Sequence, residues 1–273
     1  MSAAILCPLL AWVGPALVPK GSIHNAVPFA DGRCEPPRGS PKPLSNGGAS
    51  RSALLSALRA ATSRDGVSRL VAEIDPLTAR EFTMCISAFG RVRDWRSAVA
   101  LLSKMQVRGV EPNVISFSAA ISACGKGGQW ERALSLLDEM QRCGVKPDVF
   151  SFSAAISACG AGGQWERALS LLEEMKQRGV APNAISFSAA ISACDKGGNW
   201  ERALELLEEM QDCGVNLDVI SFSAAISACK KGGRWESALS LLDEMQRCGV
   251  APNVFSYNAA ISACGVGGQW ERA

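Results

Sequence analysis

The amino-acid sequence predicts an all-α fold, a right-handed α-solenoid of stacked helix-turn-helix repeats. Three observations predict it. Tryptophan recurs at 95, 130, 165, 200, 235 and 270, each 35 residues after the last. Methionine keeps the same interval at 105, 140, 175, 210 and 245. A ten-residue phrase returns in phase: ISFSAAISAC at 115–124, 185–194 and 220–229, FSFSAAISAC at 150–159 and FSYNAAISAC at 255–264, with a diverged copy, REFTMCISAF, at 80–89. A fixed period of this length means that one small unit is stacked many times, because no single globular core would require it.

Residues 1–50 read as a leader without regular structure. Its apolar start, residues 3–18, is interrupted by Pro8, Gly14 and Pro15, and no basic residue precedes it. That is too short and broken for a membrane span and a poor secretory signal. The following stretch, rich in Pro, Gly and Ser, suits a linker or a cleavable targeting segment. Residues 51–78 place Leu54, Leu55, Leu58, Val67, Leu70, Val71 and Ile74 at helical spacing, as a degenerate helical pair that caps the array. The tandem units then occupy 79–113, 114–148, 149–183, 184–218 and 219–253, with a partial copy at 254–273. The last copy stops one turn into its second helix, so the natural protein is expected to continue, or else this end to fray or associate.

The unit at 114–148 shows the logic. Phe117, Ala120, Ile121 and Cys124 make one apolar face of a first helix, and Asn113 is placed to cap it. Gly125-Lys126-Gly127-Gly128 is expected to break that helix. Trp130, Ala133, Leu134, Leu137 and Met140 form the stripe of a second helix, with Glu131, Arg132, Asp138 and Glu139 off the stripe. Gly144 and Pro147 stop it. One hairpin cannot bury both stripes, but stacked neighbours can.

Composition excludes several functions. Net charge is +2, and residues 79–273 carry 20 Lys/Arg against 21 Asp/Glu, so no global basic field exists. Any nucleic-acid contact must therefore rest on where individual charges sit. The 11 cysteines contain no C-x-x-C pair and the single histidine is His24, which argues against zinc and for buried free thiols in a reducing compartment. Cys124 and Cys143 close opposite ends of a hairpin about 20 Å long. Stacked helices lie about 8–10 Å apart. Both exceed the roughly 7 Å that a disulfide spans. The run A-C-G-K-G-G lacks phosphate-loop spacing and joins helix to helix. No H-x-E motif or acidic catalytic cluster occurs, so no enzyme activity, metal, cofactor, small-molecule substrate or membrane insertion is expected.

The typical unit ends in G-V-x-P-[N/D], as in Gly109 to Asn113 and Gly144 to Asp148, opens its first helix with S-[F/Y]-[S/N], and carries L-L-x-E-M, as in Leu136 to Met140. Together these features resemble the pentatricopeptide repeat, in its plain 35-residue form. The resemblance implies a single-stranded RNA partner read at one base per repeat. It also implies work in chloroplasts or mitochondria on RNA processing, stability or translation, alongside other RNA-processing proteins. In that family the fifth and last residues of each repeat select the base. Here those pairs are Thr83 with Asn113, Ser118 with Asp148, Ser153 with Asn183, Ser188 with Asp218 and Ser223 with Asn253, and Asn258 begins a sixth. The family's code implies the site 5′-A-G-A-G-A-[U/C]-3′. The second residue sandwiches the base, which places Ile115, Phe150, Ile185, Ile220 and Phe255 in that role, with Arg80 departing. A cation late in the first helix meets phosphate, matched by Arg91, Lys126, Lys196 and Lys231. The alternative is a protein-binding helical scaffold. The monotonous Ser and Ala of the first helices suit it less well than a repeating polymer.

Overall fold

A computed structural model describes residues 51–74, 77–269 and 271, and among them the chain forms thirteen α-helices and no strand. The leader at 1–50 and the onset of a second helix at 270 lie outside the described residues. A first hairpin joins α1 (Arg51–Ala60) to α2 (Arg64–Glu73). Five further hairpins follow: α3 (Ala79–Arg91) with α4 (Trp95–Val107), α5 (Val114–Lys126) with α6 (Trp130–Arg142), α7 (Val149–Ala161) with α8 (Trp165–Gln177), α9 (Ala184–Gly197) with α10 (Trp200–Asp212), and α11 (Val219–Lys231) with α12 (Trp235–Arg247). The helix α13 (Val254–Val266) ends the row. The fold is the all-α solenoid that the period predicts.

From α3 onward each first helix opens at a capping box. Asn113, Asp148, Asn183, Asp218 and Asn253 accept through Oδ1 from the backbone N–H three residues later, at 2.7–3.0 Å. The serine there returns a bond to the cap. The turn into the second helix corrects the expected break. Gly125 lies inside α5, and the helix runs on to Lys126. Gly127 then caps it, and Gly128 takes the left-handed conformation at φ +72°. Second helices carry Glu131, Glu166, Glu201 and Glu236 in their first turns, where the helix dipole favours an acid.

First helices stack on one another in a continuous row, while each second helix packs on its own partner and on the first helix of the next unit. Phe82, Phe117, Phe152, Phe187 and Phe222 are wholly buried in this row, each contributing roughly 1.5–3 kcal/mol. The row is close because Gly125 and Gly160 face Ala158 and Ala193, where an added Cβ would lie 3.0 Å from the alanine methyl. Leu136, off the expected stripe, is also buried, because a second helix must cover two first helices rather than one. Trp95, Trp130, Trp165, Trp200 and Trp235 are half-buried, and each rests on the next unit's turn. A Cβ on Gly162 would fall 2.2 Å from Trp130 Cδ1, and Gly127, Gly197, Gly232 and Gly267 meet Trp95, Trp165, Trp200 and Trp235 in the same way.

Cysteines divide by place. Cys85, Cys124, Cys159, Cys194, Cys229 and Cys264 are buried and free. Burial pushes the Cys85 thiol up to about 12 and Cys124 up to about 11. The expectation of buried thiols fails for Cys143, Cys213 and Cys248, which are exposed because the second helices end at the outer surface.

At the start of the row, α1 and α2 pack on α3, with Leu58, Val67 and Ile74 buried. Arg51 donates through Nε and Nη2 to the two Glu81 carboxylate oxygens, both at 2.7 Å. Arg64 Nε lies 2.7 Å from Asp94 Oδ2, so α2 is tied to the cap of α4.

Candidate nucleic-acid interface

The structure brings the selector candidates together through the helix caps. The fifth residue of a repeat lies one turn into its first helix. The last residue caps the next first helix, which stacks directly alongside. Sequence alone leaves it open whether a residue such as Asn113 is a plain cap or a ligand-facing group, and the geometry allows both. Capping engages Oδ1 of each side chain, which leaves Nδ2 of Asn113, Asn183 and Asn253, or Oδ2 of Asp148 and Asp218, for other contacts. The Asn orientation follows from the cap, since a backbone N–H must meet an oxygen.

Fully buried serines join the two members of a pair. Ser118 Oγ lies 2.8 Å from Ser151 Oγ, and Ser151 Oγ donates to Asp148 Oδ1 at 2.8 Å. Ser153 lies 2.8 Å from Ser186, which donates to Asn183 Oδ1 at 3.0 Å. Ser223 lies 2.9 Å from Ser256, which donates to Asn253 Oδ1 at 3.0 Å. In the fourth repeat Ser188 reaches Asp218 Oδ1 directly at 3.4 Å. Thr83 turns instead to its own helix, donating to the Ala79 carbonyl at 3.0 Å. These bridging serines escape sequence reasoning, although their signal is present: each stands three residues after a cap.

The second-place residues form an exposed apolar file. Ile115 is 67% exposed, Phe150 65%, Ile185 57%, Ile220 63% and Phe255 77%. Isoleucine and phenylalanine in water are unfavourable unless something covers them. Two clefts show what lies between them. One, of about 360 Å³, is lined by Ile185 and Ile220 with Ser188 and Asp218. The next, of about 600 Å³, is lined by Ile220 and Phe255 with Ser223, Asn253 and Asn258. Each cleft thus combines apolar side chains with a selector pair. The first repeat differs. Thr83 and Arg91 share a cleft with Leu58 and Arg59 of α1, and the exposed Arg80 stands in the second place.

The cations fall into two groups. Lys126 and Lys196 are exposed, and Lys196 lines both clefts. Arg91 donates through Nη2 to the Leu58 carbonyl at 2.8 Å, closing the end of α1. Lys231 donates to the Asp195 carbonyl at 2.8 Å and pairs with its carboxylate at 3.1 Å. Beside it Lys230, which sequence reasoning passed over, lines the larger cleft. Glycine holds that place at 90, 125, 160 and 265, and Asp195 in the remaining copy. Among the described residues no group of His, Cys, Asp or Glu is placed to hold a metal, and no helix is long and apolar enough to cross a membrane.

Comparison with known proteins agrees with this architecture. A family model described as the pentatricopeptide repeat domain matches residues 135–197 and 205–266. A PPR repeat family model matches 81–126, and a PPR repeat model matches 115–145 and 185–215. No curated protein sequence matches the chain. Among solved structures it is similar to the pentatricopeptide repeat protein PPR10 from maize, at 30% identity over 81% of this chain and 33% of that one, with a TM-score of 0.64. The same protein in complex with an 18-nt psaJ RNA element gives 30% identity over 81% of this chain and 32% of that one, with a TM-score of 0.61. The PPR domain of Arabidopsis thaliana protein-only RNase P 1, in complex with tRNA, shares the fold at 15% identity over 71% of this chain and 96% of that one, with a TM-score of 0.57. This chain spans about a third of the maize protein's length. Repeat period, capped hairpins and matched models together place the chain in the pentatricopeptide repeat family.

Proposed function

We propose that this chain binds single-stranded RNA along its row of first helices, one base per repeat, without catalysing a reaction. The observation that carries the reading is the pairing of exposed apolar side chains with a selector pair in each of two successive clefts, Ile185 and Ile220 around Ser188 with Asp218, then Ile220 and Phe255 around Ser223 with Asn253. A base edge hydrogen-bonds the polar pair while its faces meet the apolar side chains. The preferred site is 5′-A-G-A-G-A-[U/C]-3′. Asp accepts from the two donors on guanine's pairing edge, whereas Asn adds a donor for adenine N1. Thr83, Ser118 and Ser153 serve the first three bases with Asn113, Asp148 and Asn183, and Asn258 opens the sixth. Lys126 and Lys196 hold phosphates, which position the strand without reading it. The maize relative crystallised with an RNA element supports the RNA class.

We assign the chain to organellar RNA processing, stability or translation, in a chloroplast or mitochondrion, with α1 and α2 as the cap of the array. The test is a salt-titrated binding assay comparing AGAGA RNA, a scrambled RNA and the same sequence as DNA. AGAGA RNA should bind tightest, and affinity should fall steeply with salt. Exchanging Asp148→Asn and Asp218→Asn together should move the optimum towards AAAAA, by about thirtyfold if each base contact is worth about 1 kcal/mol. Equal binding of all three nucleic acids would sink the reading and favour a protein-binding scaffold.

A further inference from the structure

The buried serines that join the selector pairs fix a direction for protons. Ser151 is wholly buried, and its Oγ lies 2.8 Å from Asp148 Oδ1. A carboxylate only accepts, so the single Ser151 proton goes to Asp148. Towards Ser118, 2.8 Å away, Ser151 can then only accept. Ser118 has two uses for its own proton, Ser151 Oγ and the Val114 carbonyl at 2.8 Å, and both point into the protein. What Ser118 offers the cleft is therefore a lone pair. Ser186 acts alike between Ser153 and Asn183, and Ser256 between Ser223 and Asn253.

We infer that Ser151, Ser186 and Ser256 are specificity-positioning residues, each holding the preceding repeat's fifth-place serine as a hydrogen-bond acceptor towards the base. This rests on the base-reading function proposed above. With Asp148 the cleft then presents two acceptors, which match the N1–H and N2–H donors of guanine. With Asn183 or Asn253 it presents an acceptor and a donor, which match N6–H and N1 of adenine. Without the relay Ser118 keeps only the Val114 carbonyl as an internal partner, so its hydroxyl turns more readily to donate to the carbonyl oxygens of uracil, and guanine loses part of its advantage.

The chain contains its own control. Repeats two and four carry the same Ser and Asp pair, but in repeat four Ser188 bonds Asp218 directly, and Ser221 donates to the Asp218 carbonyl instead. Ser151→Ala removes cap and relay together, and Ser221→Ala removes a cap alone. The experiment measures Kd for AGAGA RNA and for variants with U at the second or fourth base. Ser151→Ala should lower the G-over-U ratio at the second base about fivefold, the value of one net hydrogen bond, and leave the fourth base unchanged. Ser221→Ala should keep the fourth-base ratio within about twofold. Ser118→Ala should lower the second-base ratio similarly, and the double variant should lose no more. If Ser151→Ala does not fold, Ser151→Cys keeps the volume with a weak donor and should give an intermediate ratio. An unchanged second-base ratio in the relay variant, or equal losses for Ser151→Ala and Ser221→Ala, overturns the relay while base reading stands. No G-over-U preference in the unmutated chain overturns both.

Discussion

Replacing Gly162 with alanine puts a methyl group where the Trp130 ring now rests. In isolation the change should help. Gly162 caps α7 at φ −84°, a conformation that alanine adopts freely, and such replacements gain about 0.4–1 kcal/mol by restricting the unfolded chain. The contact reverses the sign. The new Cβ would lie 2.2 Å from Trp130 Cδ1, 2.8 Å from Cγ and 3.1 Å from Nε1, whereas ordinary contact begins at 3.4 Å. The ring must retreat by more than an ångström, and overpacking of this kind costs about 1–3 kcal/mol. The net expectation is a loss of about 1–2 kcal/mol, seen as a fall in Tm of about 2–8 °C for an array of this size. The assay is urea and thermal unfolding followed by circular dichroism, in the native sequence and in a Trp130→Ala background. Without the ring, Gly162→Ala should stabilise. Gly163→Ala serves as the contrast: its φ is +72° with no atom near an added Cβ, so it should cost about 1–2 kcal/mol in both backgrounds. A neutral or stabilising Gly162→Ala in the native sequence, or an equal loss with and without Trp130, would refute the reasoning.

Ile220 lines two clefts, so Ile220→Ala should weaken recognition of the fourth and fifth bases together, by about fivefold for each stacking face lost; Kd measured on RNAs truncated from either end would show this. The Arg51 guanidinium holds the Glu81 carboxyl down at about 2, with Thr78 assisting and burial opposing. A depressed carboxylate contributes stability above its ordinary value near 4.5 that is lost as pH falls towards 2. Docking of α1 on α3 should therefore loosen across that window, and Glu81→Gln should abolish that share of the pH dependence, with hydrogen exchange at Leu58 as the readout. Finally, alkylation of the native protein at pH 8 followed by mass spectrometry should label Cys143, Cys213 and Cys248 and spare Cys85, Cys124, Cys159, Cys194 and Cys229, whose thiols burial pushes to about 11 or 12. Equal labelling of all eight would mean that the row opens readily.

The 35-residue period was enough to determine the hairpin, its stacking and the family, because in a solenoid each unit touches only its neighbours and one unit's pattern repeats everywhere. It also isolated the alternation of Asn113, Asp148, Asn183, Asp218 and Asn253. Tertiary structure decided what the pattern could not. The two glycines that follow α5, α7, α11 and α13 look alike in sequence, but one makes room for the preceding unit's tryptophan and the other supplies a left-handed turn. Arg91 and Lys231 look like Lys126 and Lys196, but they are tied to Leu58 and Asp195. Ser151, Ser186 and Ser256 look like ordinary capping serines, but stacking sets each within hydrogen-bond reach of a hydroxyl 33 residues earlier. In each case the deciding contact lies between units. Local spacing specifies what one helix presents, and only the distance of closest approach between stacked helices settles what meets it.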